Sequence, residues 1–357
     1  MQKIFDVIAV GAGPAATAAA ITLLQNGFSC LIIEREQMPR YRPGETFHPG
    51  IEVLFKQLGV WQSVLDLMPL RPRGVVVRQK GKEELILFGG DKNGEWRGFQ
   101  IPRMRLDLLL LDRSMNLGSK ILLSCRARNV LVDNGRVVGV STDAGDLYAR
   151  FVIDCGGGRH WIAKRLGLSV EQFSPKLVAY FGYTDGSSDE LLENSLIDFD
   201  ESGWTWLAQV EDCVLHWTRL DVVFKENAHK RVRENPSILF CGNMQNHQMY
   251  INSSQGADVT WRAMQLPAGS GFFAAGDAAA VIDPASSHGV LKAIMSGIYV
   301  AHLISEAIAR PRFEITACAE YTKWLHRWFL SDVAELTRRY NTAFPGWKSG
   351  NKFGRGS

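Results

Sequence analysis

Few folds can accommodate an apolar strand that breaks into a glycine turn and runs straight on into a helix, and this chain begins that way. Phe5-Asp6-Val7-Ile8-Ala9-Val10 reads as a buried parallel strand, and Gly11-Ala12-Gly13-Pro14-Ala15-Ala16 follows at once. Gly11 permits the tight exit from the strand. Gly13 removes the Cβ that would hold a pyrophosphate away from the backbone, and Ala16 lets the helix Thr17 to Gln25 pack close to the strand. The N-terminus of that helix offers free N–H groups and a partial positive charge to a diphosphate. A second apolar strand, Cys30-Leu31-Ile32-Ile33, ends in Glu34, which stands 21 residues after Gly13. That is the distance at which a carboxylate reaches the ribose hydroxyls of a dinucleotide. Arg35 follows directly and joins the expected cofactor contacts.

The chain has 357 residues, 46% of them apolar, enough for a large core and about two domains. A net charge of +3 without a basic block argues against nucleic acid or an anionic membrane as partner. The six cysteines show neither metal-ligand spacing nor a dense disulfide framework, so no metal is expected and a cytoplasmic location is. The first strand starts too early to leave room for a signal peptide, and no apolar run looks long enough to span a bilayer.

Beyond Glu34 a proline-marked loop carries Gly44-Glu45-Thr46 and His48, then a helix runs from Ile51 to Leu58. Strand patterns occupy 72–88, and an amphipathic helix opens at Pro102-Arg103. Short strands follow at about 120–153, and three glycines break the chain after Asp154. From about 172 to 262 the pattern is largely β and holds Trp204-Thr205-Trp206, which serve either core or substrate. Gly276-Asp277 forms an acidic turn, and a helix starts near Gly289, preceded by His288. A last amphipathic helix spans 313–341. The predicted class is α/β: a Rossmann-like dinucleotide-binding domain (1–70, 98–160, 263–312) with an inserted, mostly antiparallel β-rich substrate domain (71–97, 161–262). A C-terminal helical segment (313–357) completes it.

In these motifs the chain resembles FAD-dependent monooxygenases of the para-hydroxybenzoate hydroxylase type and their relatives, the flavin-dependent halogenases and geranylgeranyl reductases. The resemblance implies FAD held by Gly11 to Ala16, Glu34, Gly44, Glu45 and Arg103, with Asp277 of the Gly276-Asp277 pair on the ribityl chain. It sets Pro284, Gly289 and Val290 beside the isoalloxazine. Independently, a helix that starts at Gly289 presents a positive end able to stabilise the anionic reduced flavin. Halogenases of this group need a lysine after their Gly-Glu motif and a glutamate beside Ser-Thr-Gly. Here the corresponding stretches read Arg73-Gly74-Val75-Val76-Val77-Arg78 and Ser286-Ser287-His288-Gly289, which disfavours halogenation.

The run from Asp283 to Ala293 is most similar to the short maturase flavoproteins that help build cysteine tryptophylquinone in lysine and glycine oxidases. That resemblance implies hydroxylation of a tryptophan side chain in an oxidase precursor by reduced FAD and O₂. His288, His48 and Glu45 are the candidate polar groups around the flavin, whereas His160, His216 and His302 read as structural. No second dinucleotide fingerprint is present, so NAD(P)H binds transiently or a flavin reductase supplies the electrons. Trp324, Trp328 and Trp347 would be exposed if they helped dock a protein substrate. Hydroxylation or halogenation of a small aromatic molecule, and a non-catalytic FAD-holding assembly role, are the alternatives.

Overall fold

The computed structural model describes residues 4–40, 42–222, 255–344 and 347. Part of the β pattern expected up to residue 262, Cys241 and most of the chain after 344 lie outside the described residues. The five described cysteines are free thiols.

Strand Ile4–Val10 is the centre of an eight-stranded sheet, with Cys30–Ile33 parallel to it on one side and Gly145–Asp154 parallel on the other. Val7, Ile8 and Ala9 are fully buried, as their unbroken apolar run requires. Lys120–Leu122 extends the parallel part beyond Cys30–Ile33. On its other edge Gly145–Asp154 serves two further neighbours. Its first residues pair antiparallel with Arg136–Thr142, and its last three pair parallel with Phe272–Ala274. One long strand thus joins an antiparallel meander to the dinucleotide-type sheet.

Helix Pro14–Gln25 packs on this sheet, and Gly289–Ala309 packs closely against that helix. At 21 residues and a mean hydropathy of 1.3, Gly289–Ala309 is long and apolar enough to cross a bilayer, which corrects the expectation that no such run exists. Its apolar residues Ile294, Val300, Ala301 and Ile304 are instead fully buried in the protein. Half of its apolar span is buried in the protein, as in a helix that packs its apolar face on a core.

A seven-stranded sheet stands apart from the first, in the order Gln255–Asp258, Val178–Asp185, Val214–Asp221, Gly203–Glu211, Asn194–Phe199, Gly74–Gln79, Lys82–Leu87. The hairpin of residues 74–87 enters this sheet through parallel pairing with Asn194–Phe199. The last helix, Glu314–Ala343, ties the two sheets together. Toward the first sheet Glu314 accepts from Arg136 and the Tyr321 hydroxyl donates to Ala274 O at 2.6 Å, and toward the second the Tyr340 hydroxyl accepts from Trp204 Nε1 at 2.6 Å while donating to Asp283 at 2.7 Å. Trp324 and Trp328 are half-buried and pack edge-on, and Trp347 lies against Tyr340 and Trp261. None of the three stands free on the surface.

Candidate functional site

The glycine turn works because its neighbours lock it. The Ala12 N–H donates to Glu34 Oε2 at 2.9 Å, and the same oxygen accepts from Arg40 Nη1 at 2.6 Å. Glu34 Oε1 accepts from the Glu36 N–H, so the carboxylate, though buried, is held at both oxygens. Ala12 and Ala16 are fully buried beneath the turn. Gly11, Gly13, Pro14 and Ala15 face a cavity of about 1050 Å³, as do Glu34 and Arg35.

That cavity continues to the other predicted segments. Gly44 and Glu45 line it from the loop after the second strand, and Arg103 from the start of helix Arg103–Asn116. Gly276, Asp277, Pro284, Gly289 and Val290 close the far side. The Arg103 guanidinium grips Asp107 with Nε and Nη2 at 2.9 and 3.0 Å and donates from Nη1 to Pro43 O at 2.9 Å. Burial works against its charge, but Asp107, Glu45 and Asp277 more than offset this and raise its pKa. The surrounding protein pushes the Asp277 carboxyl up, opposed by Arg103 and Arg262. Asp154, at the end of its strand, accepts from the N–H groups of Gly156 and Ile162 beyond it, and burial pushes it up to about 6.

Two of the three candidate polar groups are not brought to the cavity. His48 and His288 stack edge-on against each other at 5.8 Å, and neither is among the lining residues. His48 Nδ1 accepts from the Gly50 N–H, which ties the ring into its own loop. His288 precedes the helix at Gly289 and packs against His48, and burial, aided by Lys292 and His48, holds its pKa to about 4. Of the three groups expected as polar neighbours of the flavin, Glu45 therefore lines the cavity and the two histidines do not.

His216, read as structural from the sequence, does face the cavity. It sits on the same sheet face as Phe181, Trp204 and Trp206, all of them lining residues. Its position depends on strand register, which no local sequence signal carries. The Tyr183 hydroxyl hydrogen-bonds Glu45 Oε1, while His216 Nε2 lies 3.4 Å from Glu45 Oε2. Trp204 and Trp206 turn out to be both buried and cavity-lining, so the choice between core and site does not arise for them.

His160 does behave as a structural residue. Its Nδ1 meets Ala278 O at 2.8 Å, and its Nε2 accepts from Arg262 Nε at 2.9 Å. Burial, the largest influence, together with Arg262 holds its pKa to about 4, below the usual 6.5, although the Ala278 contact pulls the other way. A folded pKa below the unfolded one means the unfolded chain binds a proton that the native state refuses. The stabilisation is complete above about 6.5 and is lost as pH falls toward 4, to the extent of about 3 kcal/mol. Asp154 carries the opposite sign over part of this window. The measurement is therefore the difference in urea stability between wild type and His160→Asn, which is expected to shrink by about that amount from pH 7 to pH 4. A difference independent of pH would remove the assignment.

The residues fit FAD. Among the described residues the buried Arg40 Nε lacks a partner at the cavity wall, as a site built for an anionic diphosphate would leave it. The cavity also spans both the glycine turn and the late acidic turn.

Comparison with known proteins agrees. Residues 5–311 match the family described as FAD binding domain. The chain is 24% identical over 325 residues to 1H-pyrrole-2-carbonyl-(peptidyl-carrier protein) brominase of Pseudoalteromonas luteoviolacea, covering 86% of this chain and 78% of that one. It is 25% identical over 334 residues to tryptophan 2-halogenase of Chondromyces crocatus, covering 85% of this chain and 61% of that one. Among solved structures, the myxobacterial chondrochloren halogenase CndH superposes with a TM-score of 0.84 at 20% identity, over 99% of this chain and 85% of that one. The flavin-dependent brominase Bmp2 gives 0.77 at 18% identity, over 97% and 96%. The chain belongs to the FAD binding domain family, with the fold of flavin halogenases and FAD monooxygenases, and is an FAD-dependent oxidoreductase.

Proposed function

We propose that the protein hydroxylates an electron-rich aromatic ring, and that this ring is a tryptophan side chain in the precursor of a quinone-cofactor oxidase. The observation that supports it is the wall made by Phe181, Trp204, Trp206 and His216, an aromatic surface with one polar ring. Such a wall matches a flat, apolar substrate and excludes water from it. Bound FAD, once reduced, supplies the chemistry by activating O₂. The chain's own residues bind, orient and shield. The start of helix Gly289–Ala309 lines the cavity and presents its positive end to any negative charge there. Arg103 and Arg40 hold fixed positive charge at the wall. Electrons come from NAD(P)H bound transiently or from a flavin reductase.

A second reading, halogenation of a small aromatic, is favoured by the names of the relatives. Against it stands the lysine that the halogenase resemblance requires. Among the described lining residues the lysine is Lys164, which belongs to helix Trp161–Leu166 and not to the aromatic wall.

Mass spectrometry of an oxidase precursor co-expressed with this protein tests the proposal. One added oxygen on a tryptophan is the expected result. Bromine incorporated into free tryptophan or a phenol when bromide is supplied would select the halogenase reading. An unmodified precursor would reject the main one.

A further inference from the structure

His216 is 3% exposed, lines the cavity, and among the described residues has no hydrogen-bond partner at either ring nitrogen. Leaving two polar atoms of a buried ring unpaired is costly, so a site that keeps them so is completed by a ligand. The surroundings say which kind. Glu45 faces Nε2 at 3.4 Å, within ion-pair reach but without hydrogen-bond geometry. Glu45 is itself fully buried and anchored, since Oε2 accepts from the Gly44 N–H at 2.8 Å and Oε1 from the Tyr183 hydroxyl. The Tyr183 ring packs against the imidazole at 5.2 Å. Among the described residues these two are the titratable groups that face His216. A carboxylate beside Nε2 favours the tautomer with its proton there, which leaves Nδ1 as a bare acceptor. Burial, the largest influence on this ring, lowers its pKa, and Glu45 opposes it.

We propose that His216, oriented by Glu45 and Tyr183, is the substrate-recognition residue of this cavity, and that it accepts a hydrogen bond from a ring N–H or phenolic O–H of the aromatic substrate. The inference rests on the aromatic-substrate reading above and narrows it to rings that carry their own donor. Trp204, Trp206 and Phe181 supply the flat apolar contact, and His216 fixes which edge of the ring meets the wall. A donor held in this way also pushes electron density onto the ring carbons, where an electrophilic oxygen is received. A substrate lacking the donor leaves the imidazole unpaired, and that is how a polar group selects strongly.

The test is equilibrium binding to the FAD-loaded protein in its oxidised form, read by perturbation of the flavin absorbance, so that no turnover is needed. The probes are indole against 1-methylindole and phenol against anisole. Wild type is expected to prefer the donor-bearing member of each pair roughly 3- to 10-fold. His216→Phe is expected to bind both members of each pair alike. His216→Asn, a smaller change, provides the same comparison should the phenylalanine variant fail to load FAD. Equal affinities in wild type, or a preference that survives in the variants, would overturn the role of His216 while leaving the aromatic-substrate reading intact. Binding of none of the four probes would reject that reading, and this inference with it.

Discussion

Gly11→Ala is expected to yield protein that purifies without FAD, with retention lowered at least about 10-fold relative to wild type. Two costs fall on one position. Gly11 has φ +104°, a backbone conformation that L residues rarely adopt. A Cβ built there would also lie 2.5 Å from the Cys155 carbonyl oxygen and 2.9 Å from its carbon. Both are backbone atoms. The Cys155 N–H donates to Val10 O at 2.8 Å, so the strands cannot part cheaply. Strain of about 1–3 kcal/mol from φ adds to a similar cost of overpacking. Relief has to come from moving the turn that also presents the Ala12 N–H to Glu34. Gly118→Ala is the control, because Gly118 has φ +106° but nothing within 4 Å of its Cβ position. It is expected to lose some stability and keep its flavin. Equal FAD content in wild type and Gly11→Ala, by absorbance of the purified proteins, would refute the cradle.

The contrast between those two glycines also shows what a sequence discloses. Gly11 was legible because it stands between a β-branched strand and a helix, and because Glu34 follows at a fixed distance. These are local, periodic signals. The helices Arg103–Asn116, Gly289–Ala309 and Glu314–Ala343 were legible for the same reason, each long enough to show its repeat. Trp61–Asp66 and Asp189–Glu193 are too short to show one, and they passed unnoticed. The seven-stranded sheet was visible as β but not as a surface. Val75 pairs with Ser195, and His216 sits between Tyr183 and Ala208, through registers set by distant segments. Which histidine met the cavity followed from those registers. His288 drew attention through its position next to a helix start, yet a residue in that position has no obligation to point along the helix axis. It packs against His48 instead.

Gly297 carried no sequence signal at all, and its replacement by alanine is expected to be among the most damaging small changes in the chain. In the middle of an ordinary helix that exchange stabilises by up to about 1 kcal/mol. Here the sign reverses. Helix Gly289–Ala309 crosses Pro14–Gln25 so closely that a Cβ on Gly297 would stand 2.2 Å from the Ala15 carbonyl oxygen and 3.0 Å from its carbon. The approach is possible because the first helix has Ala15 at the crossing with Ala18 and Ala19 one turn on, all buried and all small. No side chain can swing aside, since the obstacle is backbone. The helices must separate, at a cost of about 2–3 kcal/mol. Separation also moves Gly289 and Val290 relative to Ala15, and all three line the cavity. Gly297→Ala should therefore lower the urea midpoint of the FAD-loaded protein and weaken FAD retention together. A midpoint that is unchanged or raised would mean that the two helices have slack, and that their contact does not set the geometry of the cofactor site.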